Sequence, residues 1–248
     1  MSRQTELIFG IHAVTARLER DPATINRLVI QSNRQAGRVA ELIDKARTHG
    51  IMIEFHPRHE LDQRLPGVRH QGLIAECQQA QEASEAELWT ALTQTEQGLW
   101  LVLDHIQDPH NLGACLRTAA AAQVAGVIIP RDRAAGLNAT VRKVASGAAE
   151  RVPVYRVVNL ARCLRTLRDA SVRILGTDGA AQEDIYTVDM RGSLALVLGG
   201  EGEGLRRLTR TCCDHLVKIP MAPGVESLNV SVAAGICLYE AVRQRRIA

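Results

Sequence analysis

The spacing of apolar and polar positions changes twice along the chain. In residues 1–77, short apolar runs alternate with amphipathic stretches, as in a small α/β unit. Val14 and Leu18 predict a helix that opens at Gly10 and ends near Asp21-Pro22. Leu28-Val29-Ile30 predicts a strand. Val39, Leu42, Ile43 and Ala46 recur at helical spacing over 38–49, and Gly50 supplies the stop that a helix C-terminus favours. Ile51 to Phe55 and Gly72 to Ala75 read as further strands. Residues 78–98 are polar, with Glu82, Glu85, Glu87 and Glu96 and no bases, and read as a linker carrying a short helix over 85–92. From 99 onward strand and helix alternate. Strands are predicted at 100–103, 126–129, 152–155, 172–175, 194–198 and 216–219. Helices fall between and after them, at about 112–123, 138–147, 160–170, 204–211 and 228–246. Trp100-Leu101-Val102-Leu103 is apolar throughout, as expected of a parallel strand covered on both faces. The 99–248 stretch therefore predicts a mostly parallel α/β sheet.

Composition narrows the picture. With 248 residues, the chain can hold one large domain or two modest ones. Aromatics are only 3%, too few for extensive base stacking. The net charge is only +3, but of 30 basic residues just Lys45, Lys143 and Lys218 are lysines. Arginine's planar fork suits phosphate oxygens, although a GC-rich genome produces the same bias. Bases outnumber acids 11 to 9 in 1–77 and 19 to 14 in 99–248. Cysteines 77, 115, 163, 212, 213 and 237 form no C-x-x-C pair or zinc spacing, and with no signal peptide they read as reduced thiols of a cytoplasmic protein. No apolar run approaches the ~18–20 residues of a membrane span. His56-Pro57-Arg58-His59 is not a metal motif, and Pro57 argues against helical presentation of the pair.

Three stretches carry candidate chemistry. Asp108-Pro109 is a helix-start signal after the first strand of the sheet, where ligands of α/β proteins bind. Arg117 lies nearly two turns into that helix, among Leu112, Cys115, Leu116, Ala119 and Ala120, where a charge calls for a partner or a purpose. His105 and His110 flank the turn as polar groups suited to an RNA contact. The glycine run of 199–204 fails the G-x-G-x-x-G spacing because Leu205 stands where glycine is needed. It also lacks the Lys and Ser/Thr of a phosphate loop. It is either a plain turn or a loop whose backbone approaches a ligand, with Glu201 set to accept hydrogen bonds. The Pro/Gly-rich segment 219–227 follows the last strand. Glu226 or Ser227 is placed to cap the final helix, on which Leu228, Val232, Ile236 and Tyr239 form an apolar stripe expected to be core.

Taken together, Asp108 to Ala119, Leu196 to Gly204 and Ile219 to Val232 resemble the three motifs of the SPOUT superfamily of RNA methyltransferases, in its TrmH branch. Ile8 to Val14 and His70 to Ala75 are similar to the substrate domain, akin to ribosomal protein L30e, found in enzymes of that branch that 2'-O-methylate a guanosine of large-subunit ribosomal RNA. The resemblance implies an L30e-like RNA-binding domain over 1–77, a linker over 78–98 and a methyltransferase domain with a deep trefoil knot over 99–248. It implies a homodimer that needs no metal. S-adenosylmethionine would be held by Thr177, Gly199, Gly202, Ile219, Met221 and Leu228, largely through backbone groups. Asn111, Arg117, Glu201, Ser227 and Asn229 would form the catalytic cluster. Other readings remain open: a transfer-RNA guanosine or an antibiotic-site adenosine as target, or a non-catalytic RNA-binding assembly protein.

Overall fold

The computed structural model describes residues 5–34, 36–78, 82–200, 202 and 204–246. The chain divides into two compact units, Met1–Gln81 with Ser146–Arg151, and Glu82–Ala145 with Val152–Ala248.

The first unit is a mixed sheet with helices. Its elements are β1 (Thr5–Phe9), α1 (Ile11–Arg20), β2 (Ile25–Gln31), α2 (Arg38–Thr48), β3 (Met52–His56), α3 (Arg58–Arg64) and β4 (Leu73–Gln78). The strand order is β1-β4-β2-β3, with β2 and β3 parallel and the other pairs antiparallel. Val14, Leu18, Leu28, Ile30, Leu42, Leu73 and Ala75 make its core, and burying each large aliphatic contributes roughly 1.5–3 kcal/mol. Buried Arg17 donates to Glu150 Oε2 at 2.6 Å and to the Gln78 carbonyl, which ties segment 146–151 into this unit. Helix α3 was not anticipated. Pro57 does not disrupt it but precedes its first residue, a place where the fixed φ and missing N–H of proline do no harm. His56 lies outside that helix and bonds Glu60 at 2.6 Å and Glu54 at 3.1 Å, and these carboxylates, Glu60 first, raise its pKa.

The second unit contains α4 (Glu85–Gln94), β5 (Leu99–Asp104), α5 (Pro109–Ala121), β6 (Gly126–Pro130), α6 (Ala139–Ala145), β7 (Val154–Val157), α7 (Leu160–Asp169), β8 (Arg173–Thr177), β9 (Glu183–Asp184), β10 (Leu194–Gly199), α8 (Arg207–Thr211), β11 (His215–Lys218) and α9 (Val230–Arg246). Among the described residues its seven strands are ordered β7-β6-β5-β10-β8-β11-β9 and pair in parallel. The order turns back at β5: β6 and β7 extend one edge, while β10 enters between β5 and β8. In such sheets ligands bind beyond the carboxyl ends of strands at the reversal. Every residue of β5 is buried, which explains its unbroken apolar run.

The polar stretch around residue 85 belongs to this unit rather than standing apart. Ser84 and Glu87 form a capping box that starts α4, and Leu88 inserts into the core beside Trp100 and Leu164. Helix α9 departs more sharply from expectation. The stripe read as core is not: Val232 and Tyr239 are half exposed, and the buried face carries Val230, Ala234, Cys237, Leu238 and Ala241. The helix is apolar on two faces, so periodicity alone selected the wrong one. Its cap also differs. The Oδ1 of Asn229, not Glu226 or Ser227, accepts from the Ser231 N–H at 2.9 Å.

Candidate functional site

A cavity of about 680 Å³ opens at the carboxyl ends of β8, β10 and β11. Its walls combine glycine backbone and apolar side chains with the polar side chains of Thr177, Asp178, Lys218, Glu226, Ser227 and Asn229. Thr177 and Gly179 come from the end of β8, Leu198 to Gly200 from the end of β10, and Val217 to Ile219 from β11. Met221 and Glu226 to Val230 close it from the segment before α9. The glycine run makes this possible. A Cβ on Gly199 would lie 2.0 Å from the Gly204 carbonyl carbon, so the chain returns on itself there with no room for a side chain. Gly204 N–H closes that return by donating to the Gly200 carbonyl at 3.1 Å. Gly202 and Gly204 have φ of 80° and 65°, the left-handed region that glycine alone enters freely.

A buried carboxylate anchors the same loop. Asp104, at the end of β5, accepts from the Arg206 backbone N–H at 3.1 Å and from its Nε at 2.7 Å. The loop also packs backbone to backbone against the β5–α5 turn, because a Cβ on Gly200 would meet the His105 carbonyl at 2.9 Å.

On the other side of that contact lies a second cavity of about 470 Å³, which shares Gly200, Gly204 and Val230 with the first. Its remaining wall is polar: His105, Gln107, Asp108, Asn111 and Arg133, with Ile106. Asp108 caps α5 as its sequence position implies, accepting from the His110 N–H at 2.9 Å. That bond holds its carboxyl below the usual range. Asn111 is 8% exposed and accepts at Oδ1 from Asn229 Nδ2 at 2.9 Å, so one amide pair joins the two cavities. The position of α5 depends on Gly113, where a Cβ would come within 2.7 Å of the Val144 side chain on α6.

The six residues expected to hold the cofactor, Thr177, Gly199, Gly202, Ile219, Met221 and Leu228, all line the larger cavity. Ser227 and Asn229 of the expected catalytic cluster line it too, and Asn111 lines its neighbour. Glu201 lies outside the described residues. Arg117 stands apart: it is exposed on α5, lines neither cavity, and has no hydrogen-bond partner among the described residues. Its helix buries Leu112, Cys115, Leu116 and Ala119 on the opposite side, so the charge meets solvent rather than needing a partner within the chain. Sequence reasoning passed over Asp104, Arg206 and Arg133. Asp104 had a signal, an acid ending an apolar strand; Arg133, in an unpatterned loop, had none. None of the six cysteines forms a disulfide, and burial pushes the thiol of Cys115, on α5, up to about 12. Among the described residues no cluster of His, Cys, Asp and Glu is arranged for a metal, and no helix is long and apolar enough to cross a membrane.

Comparison with known proteins agrees with this geometry. Residues 98–239 match the SpoU rRNA Methylase family, and residues 7–83 match the family described as RNA 2'-O ribose methyltransferase substrate binding. The 23S rRNA (guanosine-2'-O-)-methyltransferase RlmB of Vibrio cholerae is 54% identical over 240 residues, which cover 97% of each chain. The enzyme of the same name from Escherichia coli is 51% identical, covering 97% of this chain and 99% of its own. Among solved structures, the SpoU methyltransferase AviRb from Streptomyces viridochromogenes in complex with AdoMet superposes with a TM-score of 0.81 at 25% identity, covering 98% of this chain and 92% of that one. A parallel sheet that reverses at β5, a glycine return beyond β10 and matches across both units lead to one conclusion: the chain belongs to the SpoU rRNA methylase family.

Proposed function

We propose that this chain transfers a methyl group from S-adenosylmethionine to the ribose 2'-hydroxyl of a guanosine in large-subunit ribosomal RNA. The observation that carries this reading is the 54% identity, over nearly all of both chains, with an enzyme named for that reaction. The first unit serves in holding the RNA, in keeping with the family matched over residues 7–83.

The larger cavity fits the cofactor. Its volume of about 680 Å³ lies within the roughly 300–1,000 Å³ typical of small-ligand sites. Leu198, Ile219, Met221 and Leu228 offer apolar surface to a purine, and the glycine return offers backbone that a ligand can approach closely. Glu226 lies in the same wall and suits a ligand bearing positive charge, whereas Asp178, also there, is paired with Arg210 at 2.9 Å and Lys218 adds a positive charge. Bound there, S-adenosylmethionine supplies the methyl group on a sulfonium centre. The chain's own residues position the acceptor, and in an in-line transfer positioning supplies much of the rate. Asn111 and Asn229 hold each other across the boundary of the two cavities and set the geometry there. Ser227 offers a further polar group from the loop beside the cofactor. Arg117 cannot take the hydroxyl proton, since guanidinium stays protonated. It anchors the neighbouring phosphate and stabilises the developing alkoxide, while the proton leaves to that phosphate or to water.

Arg117 lines neither cavity of a single chain, and this reading places it in the site through a homodimer. The half-exposed Val232 and Tyr239 on α9 provide an apolar face for a second copy. Mixing inactive Arg117→Ala and Asn229→Ala proteins should restore activity if Arg117 acts across subunits. Mixtures that stay inactive while forming heterodimers would place it within its own chain. The strand order β5-β10-β8-β11, with β10 inserted between earlier strands, supports a knotted path for the C-terminal loops. A threading check on an experimental backbone trace tests it. We place the reaction in the cytoplasm; fractionating cells that express the tagged protein checks this.

The test of function is transfer of tritiated methyl from S-adenosylmethionine to unmodified large-subunit ribosomal RNA, with the product mapped by alkali-resistant ribose. Label at one guanosine is expected. Label confined to transfer RNA would redirect the reading to that substrate, and RNA binding without label would make the chain a non-catalytic binder.

A further inference from the structure

We propose that Arg133 selects the target base, its guanidinium donating to O6 and N7 of the guanine whose ribose is methylated. The proposal rests on the methyltransferase reading above. It comes from the loop between β6 and α6, which nothing in that reading uses.

The flanks of this loop are held from several directions. Arg131 N–H donates to the Val157 carbonyl at 2.8 Å, and Arg156 Nη2 donates to the Arg131 carbonyl at 2.8 Å. On the far side, Ala135 N–H donates to the Ile106 carbonyl and Leu137 N–H to Glu82 Oε1, both at 2.8 Å. Glu82 is itself paired with Arg156 at 2.7 Å, and a Cβ on Gly136 would be 2.8 Å from the Arg156 guanidinium. Between these anchors Arg133 sits at φ 56°. A bulky residue is uncommon in that region, and such a conformation persists only where its surroundings impose it.

Arg133 lines the 470 Å³ cavity with Gln107, Asp108 and Asn111. Arg133 is exposed and makes no ion pair or hydrogen bond with a described residue, so its donors are available to a ligand. The cavity meets the larger one at Gly200 and Gly204, so a nucleotide seated in it has its ribose near the cofactor's wall. The chemistry of the base then decides what Arg133 reads. Guanine presents two acceptors, O6 and N7, on one edge, and a guanidinium fork matches both. Adenine places an amino donor where guanine has O6, and pyrimidines have no N7. Asp108 adds to the match: its Oδ1 is engaged by His110, whereas Oδ2 remains to accept from the N1 and N2 donors of the same base.

The experiment is a cycle between protein and RNA. Wild type and Arg133→Gln are compared on an oligoribonucleotide of the mapped target site, with guanosine or 7-deazaguanosine at the acceptor position. Wild type is expected to lose roughly ten- to a hundredfold in kcat/KM on the 7-deaza RNA. Arg133→Gln should show a loss of similar size on guanosine and almost none in addition on 7-deazaguanosine, with S-adenosylmethionine binding unchanged. Two independent losses that multiply would overturn the proposal and make Arg133 a phosphate contact, whose removal also lowers the salt dependence of RNA binding. Equal activity of Arg133→Gln and wild type on guanosine would overturn it as well. If wild type methylates neither RNA while retaining its cofactor, the methyltransferase reading falls, and this proposal with it. Arg133 is exposed, so the variant folds; a thermal melt of both proteins checks that.

Discussion

The two adjoining cavities of the second unit differ in what shapes them. The larger has glycine backbone, aliphatic side chains and the ends of three strands beside polar groups such as Glu226 and Asn229, and at its glycine return the shape is set by where the main chain can go. The smaller is walled by His105, Gln107, Asp108, Asn111 and Arg133, so its character is set by side-chain chemistry. Between them Gly200 packs on the His105 carbonyl, and Asn111 bonds Asn229. The contrast suits a cofactor that is the same in every turnover and an acceptor that must be chosen. A pocket made of backbone tolerates little substitution in its close returns, whereas one made of side chains can change preference at single positions without disturbing the fold.

Substitutions can break that division. The largest effect is expected at Gly199. A Cβ there would fall on the Gly204 backbone, so Gly199→Ala must open the return, and titration calorimetry should show cofactor binding lost by at least about a hundredfold. Gly202→Ala serves as its control. Nothing lies within 4 Å of that Cβ, and only its φ of 80° opposes the change, so binding should weaken by roughly five- to thirtyfold. Equal losses at the two glycines would mean that space is not what the return provides. Asn111→Ala tests the joint. It removes the acceptor of Asn229 Nδ2 but none of the larger cavity's lining, so kcat should fall roughly tenfold to a hundredfold while cofactor affinity stays within about threefold. A parallel fall in cofactor affinity would show that the two cavities are one site energetically.

Much of the fold was legible in sequence because it follows local rules. The apolar run of β5, the Asp108-Pro109 start of α5 and the spacing of Val39, Leu42, Ile43 and Ala46 each determine an element by themselves. Where two readings satisfied the same local rule, sequence reasoning failed. Pro57 can end one element or precede another, and only the packing of Leu61 against Val29 and Ile74 shows that a helix follows. Helix α9 is apolar on two sides, and its neighbours decide which side is core. Arg117 looked as though it needed a partner because its sequence neighbours are apolar, yet those neighbours face away from it. Arg133 sits in a loop without periodicity, and its φ and its bordering cavity exist only in three dimensions.

The sequence by itself determined the alternation of strands and helices, the parallel character of the larger sheet and the residue types of three motifs. Hydrophobic period and capping chemistry act over a few residues, and their signals survive in one dimension. Tertiary structure decided the rest. It inserted β10 between β5 and β8, folded the glycine run back until a Cβ no longer fits, and brought Asn111 within 2.9 Å of Asn229, 118 positions away. Those outcomes depend on packing between distant segments, where many sequences share one local pattern and only the assembled sheet chooses among the arrangements.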